Sequence, residues 1–199
     1  MNNTARAAIL AVVVTGCAAQ EPKPTQTLAE TFQPGELHPD APPETAALGQ
    51  LVGVWDVEQQ VRNQDGSWNE PTRAEWRWFY ILDGQAIQDD WIKPPVADGP
   101  SAERTFGTNI RIYDPETDQW NMAWIDSNNR TLARFTAKNI DDTVVMTGVN
   151  PVGRRVQNTF YAIKTDAFEW VQEWTFDDGD SWVPVSRLRA SRRPPLSDR

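Results

Sequence analysis

The sequence predicts an all-β fold: an antiparallel up-and-down meander of about ten strands closed into a barrel. Three observations carry that expectation. From Val52 onward, apolar and polar residues alternate with period two, the spacing of a half-buried strand. Turn-forming clusters interrupt the alternation every ~8–12 residues, as in sandwiches and barrels. No long helical pattern separates the segments, so sequence neighbours pair antiparallel, and closure removes both exposed edges.

In the first strand, Gly53, Trp55, Val57, Gln59 and Val61 alternate with Val54, Asp56, Glu58, Gln60 and Arg62. The turn Asn63-Gln64-Asp65-Gly66-Ser67 ends it. A second strand covers 71–82, with Ala74, Trp76, Trp78 and Tyr80 on one side, and Asp83-Gly84 marks a tight hairpin. A third spans 85–92 and stops before Pro94-Pro95, followed by a loop over 93–103. The fourth (104–113) turns at Asp114-Pro115 into the fifth (119–126), which aligns Trp120, Met122 and Trp124. Turns at 127–129, 141–142, 150–153, 164–166 and 177–180 separate strands over 130–138, 143–149, 154–163, 168–176 and 181–190. Pro184 cannot donate to a ladder, which points to an imperfect seam in the last strand. The in or out facing of strands three, four and seven stays open, because both faces read alike; Arg111 and Glu173 are candidates for the outside.

Composition narrows the chemistry. The 199 residues carry a net charge of −9, with 10 Trp but only 1 His and 1 Cys. That Trp content excludes collagen, a coiled coil and a wholly disordered chain, and the acidic balance argues against nucleic acid as a partner. A Cys/His metal cluster is impossible, and no His follows His38, so a Ser-His-Asp arrangement within the barrel is excluded. No G-x-S-x-G, Walker A or H-E-x-x-H motif occurs. Asp89 and Asp90 are adjacent in a strand, so they face opposite sides and cannot act as an acid/base pair. Asp177-Asp178-Gly179-Asp180 suggests a calcium loop only superficially, since the downstream Glu is missing. No cofactor and no metal are expected.

The chain begins MNNTARAAILAVVVTGC: a positive Arg6, an apolar core over 7–14, then small residues before the lone Cys. This pattern is a signal peptide over 1–16, too short to span a membrane. Val14-Thr15-Gly16-Cys17 resembles the bacterial lipobox. The resemblance implies cleavage before Cys17, lipidation of its sulfur, and a membrane anchor of more than one acyl chain. Ala18 stands where inner-membrane lipoproteins usually carry Asp, so the resemblance favours the outer membrane, facing the periplasm. Residues 17–47 contain Pro22, Pro24, Pro34, Pro39, Pro42 and Pro43 and are expected to be a flexible linker that includes a solvated His38. Residues 44–51 form a helical turn or two. The barrel domain is expected over 48–190 and a frayed tail over 191–199.

Gly53-Val54-Trp55, at the start of the first strand, resembles the G-x-W signature of calycin barrels: lipocalins, fatty-acid-binding proteins and nitrobindin-type barrels. The hairpin GTNIRIYDPETDQWNMAWID (107–126) is similar to that of uncharacterised bacterial calycin-like domains, and the likeness extends from about Leu48 to Arg193. It implies that Trp55 plugs a closed end and that an Arg of the last strand, Arg187 or Arg189, stacks on it. Such a contact contributes about 0.5–2 kcal/mol. The chain departs from nitrobindin-type barrels: Asp56-Val57-Glu58 replaces their further glycines, and no barrel His exists for haem iron. Lipocalin's later motifs and disulfides are also absent.

The expected inward faces are aromatic, and two readings of them stand. The rings fill the barrel, or they line a cup for a small hydrophobic molecule, since barrel width grows with strand number. Candidate ligand-binding residues are Trp76, Trp78, Tyr80, Trp124, Phe135, Asn158, Trp170, Gln172 and Trp174, with Phe160 and Phe176 on the same faces. Asn158 and Gln172 are the placed polar groups. Three functions follow: a membrane-tethered module binding a small hydrophobic ligand, the leading reading; a filled barrel with an interacting outer surface, which an exposed Trp68 or Trp182 would favour; or a cofactor-free enzyme. Oligomeric state stays open.

Overall fold

The computed structural model describes residues 34–150 and 152–194, so Cys17 and the leader lie outside the described residues. Ten antiparallel strands run in chain order: β1 (Gly53–Val61), β2 (Thr72–Ile81), β3 (Ala86–Lys93), β4 (Thr105–Asp114), β5 (Gln119–Asp126), β6 (Leu132–Ile140), β7 (Thr143–Val149), β8 (Arg155–Tyr161), β9 (Ala167–Trp174) and β10 (Val183–Arg192). Each pairs with its sequence neighbours, and β10 returns to β1 to close the barrel. The meander expected from the period-two pattern is therefore the fold. The β1–β10 seam runs unbroken from Val61 opposite Ser186 to Trp55 opposite Arg192. Pro184 acts elsewhere: it sits at a register shift between β10 and β9, where a missing N–H is tolerated.

One end is closed. Helix α1 (Pro43–Gly49) begins with Pro at its first position, where no intrahelical bond is lost, and carries Glu44 in the first turn. It buries Thr45 and Leu48, and Leu51 follows fully buried. Beneath this cap lie Trp55, Trp78, Ile87, Trp120 and Phe168, all essentially inaccessible. The Trp55 indole donates to the Leu51 carbonyl at 2.7 Å and meets Phe168 edge-on at 4.7 Å.

The arginine over Trp55 is not Arg187 but Arg192, at 4.1 Å from the ring. The reason is register. Arg187 faces Gln60, about five residues or ~17 Å up the strand, and stacks instead on Trp68 at 4.3 Å. Arg192 belongs to β10, which outruns the expected domain end at 190. Beyond it, the Arg193 amide donates to the Val54 carbonyl at 2.8 Å, and its guanidinium reaches Glu75 at 3.0 Å. Residues 191–193 are thus a paired strand end rather than a frayed tail.

Gly53 now has a physical reason. Its φ is +137°, and a Cβ there would lie 2.5 Å from the Arg192 guanidinium, which donates to the Val52 and Gln50 carbonyls at 2.6 Å each. Gly53→Ala is expected to lower stability by about 1–3 kcal/mol through backbone strain. Urea unfolding of the variant would show a lower midpoint at unchanged slope.

The described part of the linker is not free chain. The Tyr80 amide donates to the Pro34 carbonyl at 2.8 Å, and the His38 amide donates to Gly84 at 3.4 Å. His38 is half-buried, and its Nδ1 accepts from the Asp40 amide at 3.1 Å. The β2–β3 connection is a four-residue turn, with Leu82, Asp83 and Gly84 all at positive φ, rather than a two-residue hairpin.

Candidate functional site

Above the closed layer the barrel is hollow. A cavity of about 440 Å³ opens at the end where β1 finishes and β10 begins. Seven aromatic side chains line it: Trp76, Trp91, Trp124, Phe135, Phe160, Trp170 and Trp174. Leu188, Met146, Val185 and Val61 complete the apolar wall. The antiparallel register explains the gathering, because inward positions on neighbouring strands stand side by side: Trp76 opposite Trp91, Phe160 opposite Trp170. Trp76 is the hub. It meets Trp78 and Trp91 at 5.1 Å, Phe160 at 5.7 Å and Trp170 at 6.5 Å. At the mouth, Gly107 leaves the space the Trp124 ring fills; a Cβ there would lie 2.2 Å from it.

Of the residues expected to touch a ligand, Trp76, Trp124, Phe135, Asn158, Trp170, Gln172 and Trp174 line the cavity. Trp78 and Tyr80 do not. β2 runs from the open end to the closed one, so Trp78 is fully buried in the lower layer. Tyr80 packs at the helix end, with its hydroxyl only 2.0 Å from where a Gly49 Cβ would stand. Phe176 lies past the end of β9, is 61% exposed, and carries the Arg154 guanidinium at 4.3 Å. Trp68 and Trp182 are half-buried rather than exposed.

The floor holds a feature the alternation concealed. Arg111 points inward, not outward, and forms an ion pair with Asp89; both are essentially inaccessible. The Trp76 indole donates to Asp89 at 2.7 Å, and the Arg111 guanidinium lies 4.2 Å from the Trp78 ring centre. Burial pushes the Asp89 carboxyl above its ordinary range, opposed by the Arg111 charge and the Trp76 hydrogen bond. Burial likewise lowers Arg111, opposed by Asp89. The pair straddles β3 and β4 on a diagonal, since Asp89 faces Asn109 and Arg111 faces Ile87. A long arginine reaches its diagonal neighbour across ~7–8 Å. Three short links join other polar groups: Gln172 Nε2 donates to Asn158 Oδ1 at 3.0 Å, Gln59 Nε2 to Ser186 Oγ at 3.0 Å, and Lys93 Nζ to Gln59 Oε1 at 2.8 Å.

Sequence reasoning missed Trp91, Asn109, Arg111 and Gln59 as lining residues. One signal was present: Asp89 and Arg111 are opposite charges on adjacent strands, each flanked at i±2 by apolar residues or Asn.

An aromatic-lined cup inside a closed ten-stranded antiparallel barrel defines a lipocalin-like architecture. No protein-family model matches the chain, and no curated protein does. Among solved structures, the chain is similar to the S-type phycobiliprotein lyase CPES from Guillardia theta, with a TM-score of 0.51 and 12% identity. The match covers 78% of this chain and 95% of that one. At that identity the likeness bears on the fold.

Proposed function

We propose that this protein binds a small, largely apolar, flat molecule in the barrel cup while tethered to the bacterial cell envelope through a lipidated Cys17. The observation that carries the first half is the cavity itself: about 440 Å³, lined by seven aromatic side chains with polar groups set among them, the usual make-up of a small-molecule site. A likeness to a phycobiliprotein lyase is compatible with a small ligand. The lipobox-like Val14-Thr15-Gly16-Cys17 supports the second half.

Filling the cup tests the first half. Met146 is 4% exposed and lines the cavity. Met146→Trp is expected to weaken binding of an apolar fluorescent probe such as N-phenyl-1-naphthylamine by at least tenfold, equal to about 1.4 kcal/mol, with the unfolding midpoint near that of the wild type. Unchanged probe affinity would count against the cup. For the tether, Cys17→Ser is expected to move the protein from the detergent phase to the aqueous phase in Triton X-114 partition of its host's membranes.

A ring of exposed apolar side chains near the mouth favours a second reading, in which that end also contacts another surface. Phe106, Ile125, Leu132, Val149 and Val152 are 44–77% exposed there. Under this reading, Phe106→Ser with Leu132→Ser lowers retention on envelope fractions of the Cys17→Ser protein.

A further inference from the structure

We propose that Asn109 is the polar anchor of the ligand, and that the ligand presents an amide-type edge, an N–H beside a C=O, on an otherwise apolar flat frame. This rests on the reading of the cavity as a ligand cup. Among the described residues of the wall, Asn109 Oδ1, Trp174 Nε1 and Arg111 Nε are buried with no hydrogen-bond partner, and of these three atoms the Asn109 oxygen is the acceptor. Asn158 and Gln172 share one hydrogen bond, and Gln59 links to both Ser186 and Lys93. Arg111 and Asp89 are paired. Asn109 is not: it is 3% exposed and faces the cavity, and its Oδ1 has no hydrogen-bond partner among the described residues. An amide oxygen buried without a partner is costly, and a native site that keeps one usually has a use for it.

The chemistry of the partner follows. A carboxamide offers an acceptor and a donor side by side. Its complement is another amide edge, such as a lactam, in which N–H and C=O lie on the same side. A half-turn of the Asn109 side chain exchanges its oxygen and nitrogen without changing that complement. The ligand is neutral where it meets the floor, because Asp89 and Arg111 compensate each other and leave no net charge to draw in a carboxylate or an amine. The seven surrounding rings select a flat frame.

Isothermal titration calorimetry of the full chain with 2-quinolone, N-methyl-2-quinolone and naphthalene tests this. 2-Quinolone has the lactam edge, its N-methyl derivative lacks the donor, and naphthalene has the frame alone. The wild type is expected to bind 2-quinolone about tenfold more tightly than the N-methyl compound, the effect of one or two neutral hydrogen bonds. Asn109→Leu is expected to erase that difference while changing naphthalene affinity less than about threefold. If naphthalene binds but 2-quinolone gains nothing over its N-methyl derivative, the anchor is wrong and the cup stands. A preference that survives in Asn109→Leu also overturns the anchor. If none of the three binds, the cup and the anchor fall together. Should Asn109→Leu not fold, the wild-type comparison decides, with the Asn109 side-chain amide resonances in ¹⁵N spectra: 2-quinolone is expected to shift them, and unmoved resonances would overturn the proposal.

Discussion

Arg111→Met is expected to destabilise the protein by about 3–5 kcal/mol, because it leaves the Asp89 carboxylate buried without its counter-charge. Both residues are buried in the barrel, so the carboxylate loses its one ion-pair partner among the described residues. The loss has a pH signature. In the wild type, burial already pushes Asp89 up against the pull of Arg111. With Arg111 gone, the folded-state value rises further above the unfolded one of about 3.9. A group raised in the folded state contributes stability below its unfolded value and loses it as pH rises through the folded one. The contribution of Asp89 to the variant's stability is therefore expected to be greatest below the unfolded value of about 3.9 and to fall as pH rises above it. Adding Asp89→Asn to Arg111→Met removes the charge and is expected to recover most of the stability and to flatten the pH profile. Denaturant unfolding of both variants at several pH values checks this. A double variant no better than the single one would mean the ion pair is not what holds this layer.

Trp76→Ala is expected to cost a similar amount, about 3–5 kcal/mol, as a large-to-small change in a packed core. The ring touches Trp78, Trp91, Phe160, Phe168 and Trp170, with centroids 5.1–6.5 Å away. Its indole also holds Asp89 at 2.7 Å. Trp76→Phe helps to separate the two roles, since it keeps a smaller aromatic ring and removes the donor; it is expected to cost about 1–3 kcal/mol. Because Trp76 forms part of the cavity wall, the alanine variant also enlarges the cup. Its affinity for a naphthalene-sized probe is expected to fall, while the phenylalanine variant retains most of it. Equal binding losses in the two variants would show that the hydrogen bond to Asp89, not the ring, shapes the site.

The fold was largely legible because its cause is local. Alternation such as Ala74-Trp76-Trp78-Tyr80 against Glu75-Arg77, punctuated by turns such as Asp114 to Asp118, specifies antiparallel neighbours without long-range information. Closure followed from the need to hide two edges. The site was legible where one face of a strand is plainly aromatic, as on β2, β5 and β9. It was hidden on β3 and β4, where Asp89, Asn109 and Arg111 face inward and Phe106, Ile110 and Ile112 face out, 40–48% exposed. There the usual polarity is inverted, and only the pairing register, in which Asp89 meets Asn109, discloses it. Depth was the other hidden quantity. Trp76 and Trp78 share a face, yet one lines the cup and the other seals the floor, because the strand direction relative to the closed end decides which is which. The Arg187 expectation failed for the same reason: an arginine at the right strand but the wrong height meets Trp68 instead of Trp55.

The central claim is that the hollow half of the barrel holds a small molecule. Native mass spectrometry of the protein, purified gently from its own host, tests it most directly. The expected result is a native mass above that of the denatured chain, with the excess lost on denaturation and recovered as a neutral, flat, conjugated compound. A mass matching the chain alone, together with tryptophan fluorescence unmoved by a panel of aromatic and fatty-acid probes, would contradict it.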